Sequence, residues 1–215
     1  MIKINKSTIL IKLFVVFTIM IGELAVAQNV VMNNGARRIG NGAENSINSA
    51  GNMQQPFYYS TVNSQWRQLT YSNYPLDIRW GVGGDGTDNW NVNGSMIDNP
   101  PVTNIVYDYS QFTTTNVTTG DGYGSIKFTG NITVDGKLFL VENIYTLGQS
   151  DGYFNIRVKI TNVSGESASN IRLWVGTRDD YVGNTDGPTK ERGNLINSAF
   201  EIIGAPAEQA KAIKI

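Results

Sequence analysis

Residues Gly124 to Leu147 read Gly-Ser-Ile-Lys-Phe-Thr-Gly-Asn-Ile-Thr-Val-Asp-Gly-Lys-Leu-Phe-Leu-Val-Glu-Asn-Ile-Tyr-Thr-Leu. Two runs rich in β-branched and aromatic residues flank Asp135-Gly136, the pair selected by a two-residue type I′ turn because both central residues need positive φ. The turn fixes the register. Val134 then faces Lys137 and Ile132 faces Phe139, so Ile126, Phe128, Ile132, Val134, Phe139 and Val141 fall on one side of the sheet. That side is the predicted core face. Leu138 and Leu140 point the other way, which makes this part of the strand apolar on both faces. Such a strand is expected inside a sheet or beneath a covering loop, in a structure thicker than a seven-stranded sandwich. The alternation slips at Glu142 and Asn143, where Asn143 takes an inward position, and a β-bulge is expected there.

The same period of two recurs on either side. Leu76, Ile78, Trp80 and Val82 alternate with Pro75, Asp77, Arg79 and Gly81, the pattern of a half-buried strand. Phe154, Ile156, Val158 and Ile160 alternate likewise with Asn155, Arg157, Lys159 and Thr161, and Ile171, Leu173 and Val175 with Asn170, Arg172 and Trp174. Clusters of Gly, Asn and Asp punctuate these runs. Composition agrees: of 215 residues only 16% are charged, and Asn, Thr, Ser and 23 Gly fill the difference. The fold class is therefore all-β, an antiparallel β-sandwich.

The ends of the chain read differently. Lys3, Lys6 and Lys12 precede an apolar run from Leu13 to Ile21, and Ala25-Val26-Ala27 is a small-x-small cleavage site. Residues 1–27 are thus a predicted signal peptide, too short in its apolar part to span a bilayer, and the protein is expected to be secreted or at the cell surface. Residues 28–55, with few apolar positions, are expected to be a leader or linker with a short edge strand at its start, where Val30 and Val31 sit, and the domain to occupy 56–215. Ala205 to Lys211 has the composition of a first helical turn. It runs into the alternating Ala212-Ile213-Lys214-Ile215, which suggests a domain continuing in a longer protein.

There are no histidines and no cysteines. That removes Ser-His-Asp and Cys-His nucleophiles, Cys/His zinc sites and disulfides. Loss of three lysines and one glutamate with the leader turns the net charge of −1 into −3, so neither nucleic acid nor an anionic membrane surface is an expected partner. Insertion in a membrane is not expected once the leader is cleaved.

What remains for chemistry is oxygen and aromatic rings. Asp179, Asp180, Asn184 and Asp186, with Gly183 and Gly187, form an oxygen-rich loop that suits a weak extracellular Ca²⁺ site, although the same residues build ordinary Asx turns. No cofactor beyond that ion is required. Gly81 to Asn89 is rich in Gly and Asp but lacks the Lys-Ser/Thr of a P-loop and reads as a connection. Trp80 belongs to the core face. Trp174 is on the opposite face of its strand, and with Tyr181 it forms a candidate stacking site for a surface polysaccharide or other extracellular ligand. Trp66 and Trp90 also occupy polar or loop positions. If the chain were an enzyme it would be a carboxylate-based glycoside hydrolase, drawing on Asp77, Asp85, Glu142, Asp179 and Asp180. Glu142, next to an apolar strand, would need burial and a raised pKa to act as the acid. Asn-x-Ser/Thr triplets, as at Asn116, Asn131 and Asn162, are frequent by composition alone.

The stretch Gly152 to Leu195 contains Thr161-Asn162-Val163-Ser164-Gly165 between two strands and then Arg178-Asp179-Asp180-Tyr181-Val182-Gly183. It resembles a β-sandwich module of the large adhesin-like surface proteins that gliding and related bacteria export by the type IX route. It is also similar to the strand-loop-strand units of immunoglobulin-like and supersandwich domains. The resemblance implies a non-catalytic structural or adhesive module of a larger exported protein. A carbohydrate-binding or carbohydrate-active sandwich is the alternative.

Overall fold

The structure, a computed structural model, describes residues 29–71, 76–82, 89–90, 102–176, 181, 187, 189–197, 199–203 and 212–214. Every regular element among them is a strand: β1 (Val31–Met32), β2 (Arg37–Ile39), β3 (Pro56–Ser60), β4 (Gln65–Gln68), β5 (Asp77–Val82), β6 (Asn89–Trp90), β7 (Thr103–Asn116), β8 (Asp121–Val134), β9 (Lys137–Leu147), β10 (Asn155–Asn162), β11 (Arg172–Gly176), β12 (Glu191–Ile196), β13 (Ala199–Ile202) and β14 (Ala212–Lys214). The chain is all-β and mostly antiparallel. A five-stranded sheet joins β7, β8, β9, β10 and β1; three smaller sheets are ordered β11-β5-β6, β13-β12-β14 and β2-β3-β4.

The hairpin of β8 and β9 has the register its turn dictates. Val134 pairs with Lys137 and Ile132 with Phe139, and Asp135 and Gly136 have φ of 52° and 69°. All six residues of the predicted core face are buried. The register continues unbroken through Thr129 opposite Glu142 and Phe128 opposite Asn143, so the expected bulge is absent. Asn143 stays inward because its amide has a buried partner, the carbonyl of Gly51, at 2.9 Å. The irregularities lie instead between β7 and β8, where the register shifts three times. Between two of them, in the regular stretch where Gly124 pairs with Phe112, Gly124 has a φ of +118°, and a Cβ there would stand 2.1 Å from the Gln111 carbonyl oxygen. As expected, β9 lies inside a sheet, between β8 and β10, but its second apolar face is left largely uncovered. Leu138 is exposed and Leu140 half-buried.

The core is built between this sheet and β5. Trp80 and Val82 form one buried cluster with Ile132, Val134, Phe139 and Val141, and the Trp80 and Phe139 rings meet edge to face at 4.8 Å. Ile78 joins a second cluster with Ile126, Phe128, Tyr145 and Leu147. Phe154, just before β10, and Ile156 and Val158 of β10 pack against that cluster from the sheet's edge. Burial of each large apolar side chain contributes about 1.5–3 kcal/mol before entropy is counted.

The expectation of a leader over 28–55 fails for residues 29–55. Val31, Met32 and Ile39 are fully buried, as are Ile47 and Met53 within two per cent. The segment completes the core through single apolar residues set between polar turns, which have no period of two or 3.6 to detect. Its polar residues are satisfied locally: Ser46 Oγ donates to the Ile39 carbonyl and accepts from Met32 N. β1 runs parallel to β8, with Val31 opposite Asp121 and Met32 opposite Gly122. It thereby occupies the edge of β8 just beyond the last β9 pair, Gly124 with Leu147. The expected leader peptide and the helical turn at 205–211 lie outside the described residues.

Candidate functional site

Glu142 is the one carboxylate of the proposed catalytic set whose surroundings are described. The alternation of β9 turns it away from the core, where it meets Lys159, directly opposite on β10, and Lys127, diagonal to it on β8. Lys127 Nζ lies 2.8 Å from Oε1 and Lys159 Nζ 2.6 Å from Oε2. Hydrogen bonds from Lys127 and Lys159 hold its carboxyl well below the usual range, at about 2. A carboxyl fixed in its anionic form has no proton to give to a leaving group, so the arrangement is opposite to that of a general acid. It ties three adjacent strands together instead.

A polar cleft of about 290 Å³ opens at the end of the main sheet where β7 turns into β8. Three connections supply its walls. Asn33, Asn34 and Gly35 come from the turn between β1 and β2, Gln149 from the turn after β9, and Thr115 and Asn116 from the end of β7. Asp121 and Tyr123, at the start of β8, complete it.

Each wall is fixed by its own sequence. Asn33 and Asn34 begin an Asx turn: Oδ1 of Asn33 accepts from Gly35 N at 2.9 Å, and Oδ1 of Asn34 from Ala36 N and Arg37 N at 3.0 and 2.8 Å. The Asn34 amide donates to the carbonyls of Gly148 and Asp151, both at 2.9 Å, and so clips this turn to the one carrying Gln149. On the opposite wall Asn116 Oδ1 accepts from Thr118 N and Thr119 N. Asp121 Oδ2 accepts from the Thr119 hydroxyl at 2.8 Å, and Thr115 Oγ1 donates to the Asp121 carbonyl. Behind the cleft, Arg38 of β2 lies over the rings of Phe57 and Trp66 at 4.8 and 4.7 Å. Burial lowers the pKa of this guanidinium, and the charge of Asp121 opposes the shift.

The residues singled out from sequence fall elsewhere. Trp174 pairs with Arg79 in the β11–β5 ladder, its side chain being outside the described residues. Tyr181 is half-buried, its ring edge to face with Tyr71 at 5.3 Å. Asp179, Asp180, Asn184 and Asp186 also lie outside the described residues, as do Asp85 and the side chain of Asp77. Among the described residues no three carboxylates gather to hold a cation. Trp66 is half-buried, packed against Tyr59 at 5.5 Å as well as Arg38.

Sequence reasoning missed the cleft because one of its walls, Asn33 to Gly35, belongs to the supposed linker. A local signal existed. Asn-Asn-Gly directly after the apolar Val30-Val31-Met32 marks a turn leaving a buried strand, and Thr118-Thr119-Gly120-Asp121 marks its counterpart across the cleft. Nothing in the sequence says that the two turns meet. Comparison with protein-family models finds no matching family, and comparisons with curated proteins and with solved structures find no match.

Proposed function

We propose that this chain is a non-catalytic adhesive module of an exported protein, folded as an antiparallel β-sandwich and acting through the cleft at the β7–β8 end of its main sheet. One observation carries the reading: the cleft is walled by hydrogen-bonding side chains with a single carboxylate, of which Asn33, Asn34, Thr115 and Asn116 are anchored to backbone, whereas Glu142 lies apart and is neutralised by lysines. Small-molecule sites combine a concave surface with a few fixed polar groups in this way. The sandwich assignment is supported by the packing of β5 over the main sheet, where Trp80 and Val82 share one buried cluster with Ile132, Val134, Phe139 and Val141. Export and a place in a larger surface protein rest on the leader-like residues 1–27 and on the Gly152 to Leu195 resemblance.

The reading is tested with microspheres coated with the purified protein and washed at fixed shear over mucin, cellulose and bacterial exopolysaccharide. Retention above that of uncoated spheres on at least one surface is expected. Equal retention on every surface would remove adhesion as the function, and release of reducing sugar from any of them would restore the enzyme.

A further inference from the structure

Resting on that adhesive reading, we infer that the cleft takes the end of a neutral saccharide, one or two pyranose rings. The argument is one of matching hydrogen-bond capacity. A sugar hydroxyl both donates and accepts, so its site needs donors and acceptors side by side, held before the ligand arrives. Asn33 and Asn116 have their Oδ1 atoms committed to backbone N–H groups, which leaves each Nδ2 as a donor on a fixed side chain. Asp121 has Oδ2 engaged by Thr119 and Oδ1 available as an acceptor. Gln149 can serve in both senses, and its side chain makes no hydrogen bond among the described residues. Tyr123 adds an aromatic ring with a hydroxyl, the amphipathic surface on which the apolar face of a pyranose packs.

Charge and size exclude the main competitors. No lysine or arginine lines the cleft, and Arg38, whose charge Asp121 feels, is turned onto the rings of Phe57 and Trp66, so a phosphate, sulfate or uronate would meet the Asp121 carboxylate with no cation in direct contact. About 290 Å³ is at the lower limit of small-molecule sites. That volume suits a chain end and is too small for a folded peptide.

The test is saturation-transfer NMR and titration calorimetry on the full chain. The probes are glucose, galactose, mannose, N-acetylglucosamine and their common disaccharides, with glucuronate, glucose 6-phosphate and a neutral hexapeptide as contrasts. At least one neutral saccharide should bind. Gln149→Ala and Asp121→Asn should each weaken it about tenfold or more, the loss expected for a directed hydrogen bond, with thermal midpoints within a few degrees of the parent. Glucuronate and the phosphate ester should not bind. The inference is overturned if no neutral saccharide binds the folded protein, if the peptide or the anions bind in preference, or if neither substitution changes the affinity. Coated spheres that adhere, yet are not released by any free saccharide, would sink the sugar assignment and leave the adhesive reading standing; spheres that never adhere would sink the reading itself.

Discussion

Tyr145 donates its hydroxyl hydrogen to the carbonyl oxygen of Gly51, deep in the core and 94 residues away in sequence. Asn143 donates to the same oxygen, so one carbonyl of the N-terminal segment anchors two inward residues of β9. Burial pushes the Tyr145 phenol far above its ordinary pKa, and the hydroxyl remains a donor throughout the accessible pH range. Tyr145→Phe removes one of the two bonds and leaves the carbonyl satisfied. The expected loss is about 1–2 kcal/mol by denaturant titration.

Gly51 itself tolerates no side chain. Its φ is +77°, and a Cβ would stand 2.4 Å from a ring carbon of Phe128. Gly51→Ala combines a strained backbone with an overpacked core and should lower stability by about 2–4 kcal/mol. A melting temperature depressed by roughly 5 °C or more in calorimetry would agree; a change within error would show that the segment yields freely.

Residues 29–55 are packed into the core through Val31, Met32, Ile39, Ile47 and Met53. Met32→Asp places a charge where the side chain is fully buried and should cost about 4 kcal/mol or abolish folding. Glu44→Ala, at an exposed position of the same segment, should change stability by no more than about 0.5 kcal/mol. Equal, small effects of the two would return residues 29–55 to the role of a linker.

Glu142 gives the protein an acid-sensitive contact of defined sign. Its folded pKa, about 2, lies below the value of 4.5 it has without partners, so the stabilisation is complete above about pH 5 and is lost as pH falls toward 2. Because Lys127 and Lys159 are both partly in solvent, screening holds the gain to about 1 kcal/mol. Thermal melts of the parent and Glu142→Gln should therefore differ at pH 7 and converge near pH 2. A difference that grows on acidification would contradict the ion-pair assignment.

Strand positions were legible wherever one face is apolar and the other polar. The β8–β9 register followed from Asp135-Gly136 and needed no tertiary information, and Ile78, Trp80 and Val82 of β5 declared their burial by alternation. What was hidden depended on partners distant in the chain. Asn143 looked like a slip in the pattern because its partner, Gly51, lies in a segment without periodicity. A short edge strand around Val31 was legible, but no local rule assigns it to the edge of β8. The cleft was hidden for the same reason: Asn33 and Asn116 each read as turn residues, and only the parallel pairing of β1 with β8 brings their turns together.

The most direct test compares adhesion across two surfaces of one molecule. Microspheres carrying the parent chain, the double variant Tyr123→Ala with Gln149→Ala, or Glu142→Gln are washed at the same shear over the surface that retains the parent best. Retention should fall to the uncoated background for the double variant and stay at the parental level for Glu142→Gln. Undiminished retention of the double variant, with the protein still folded by circular dichroism, would contradict a function seated in the cleft.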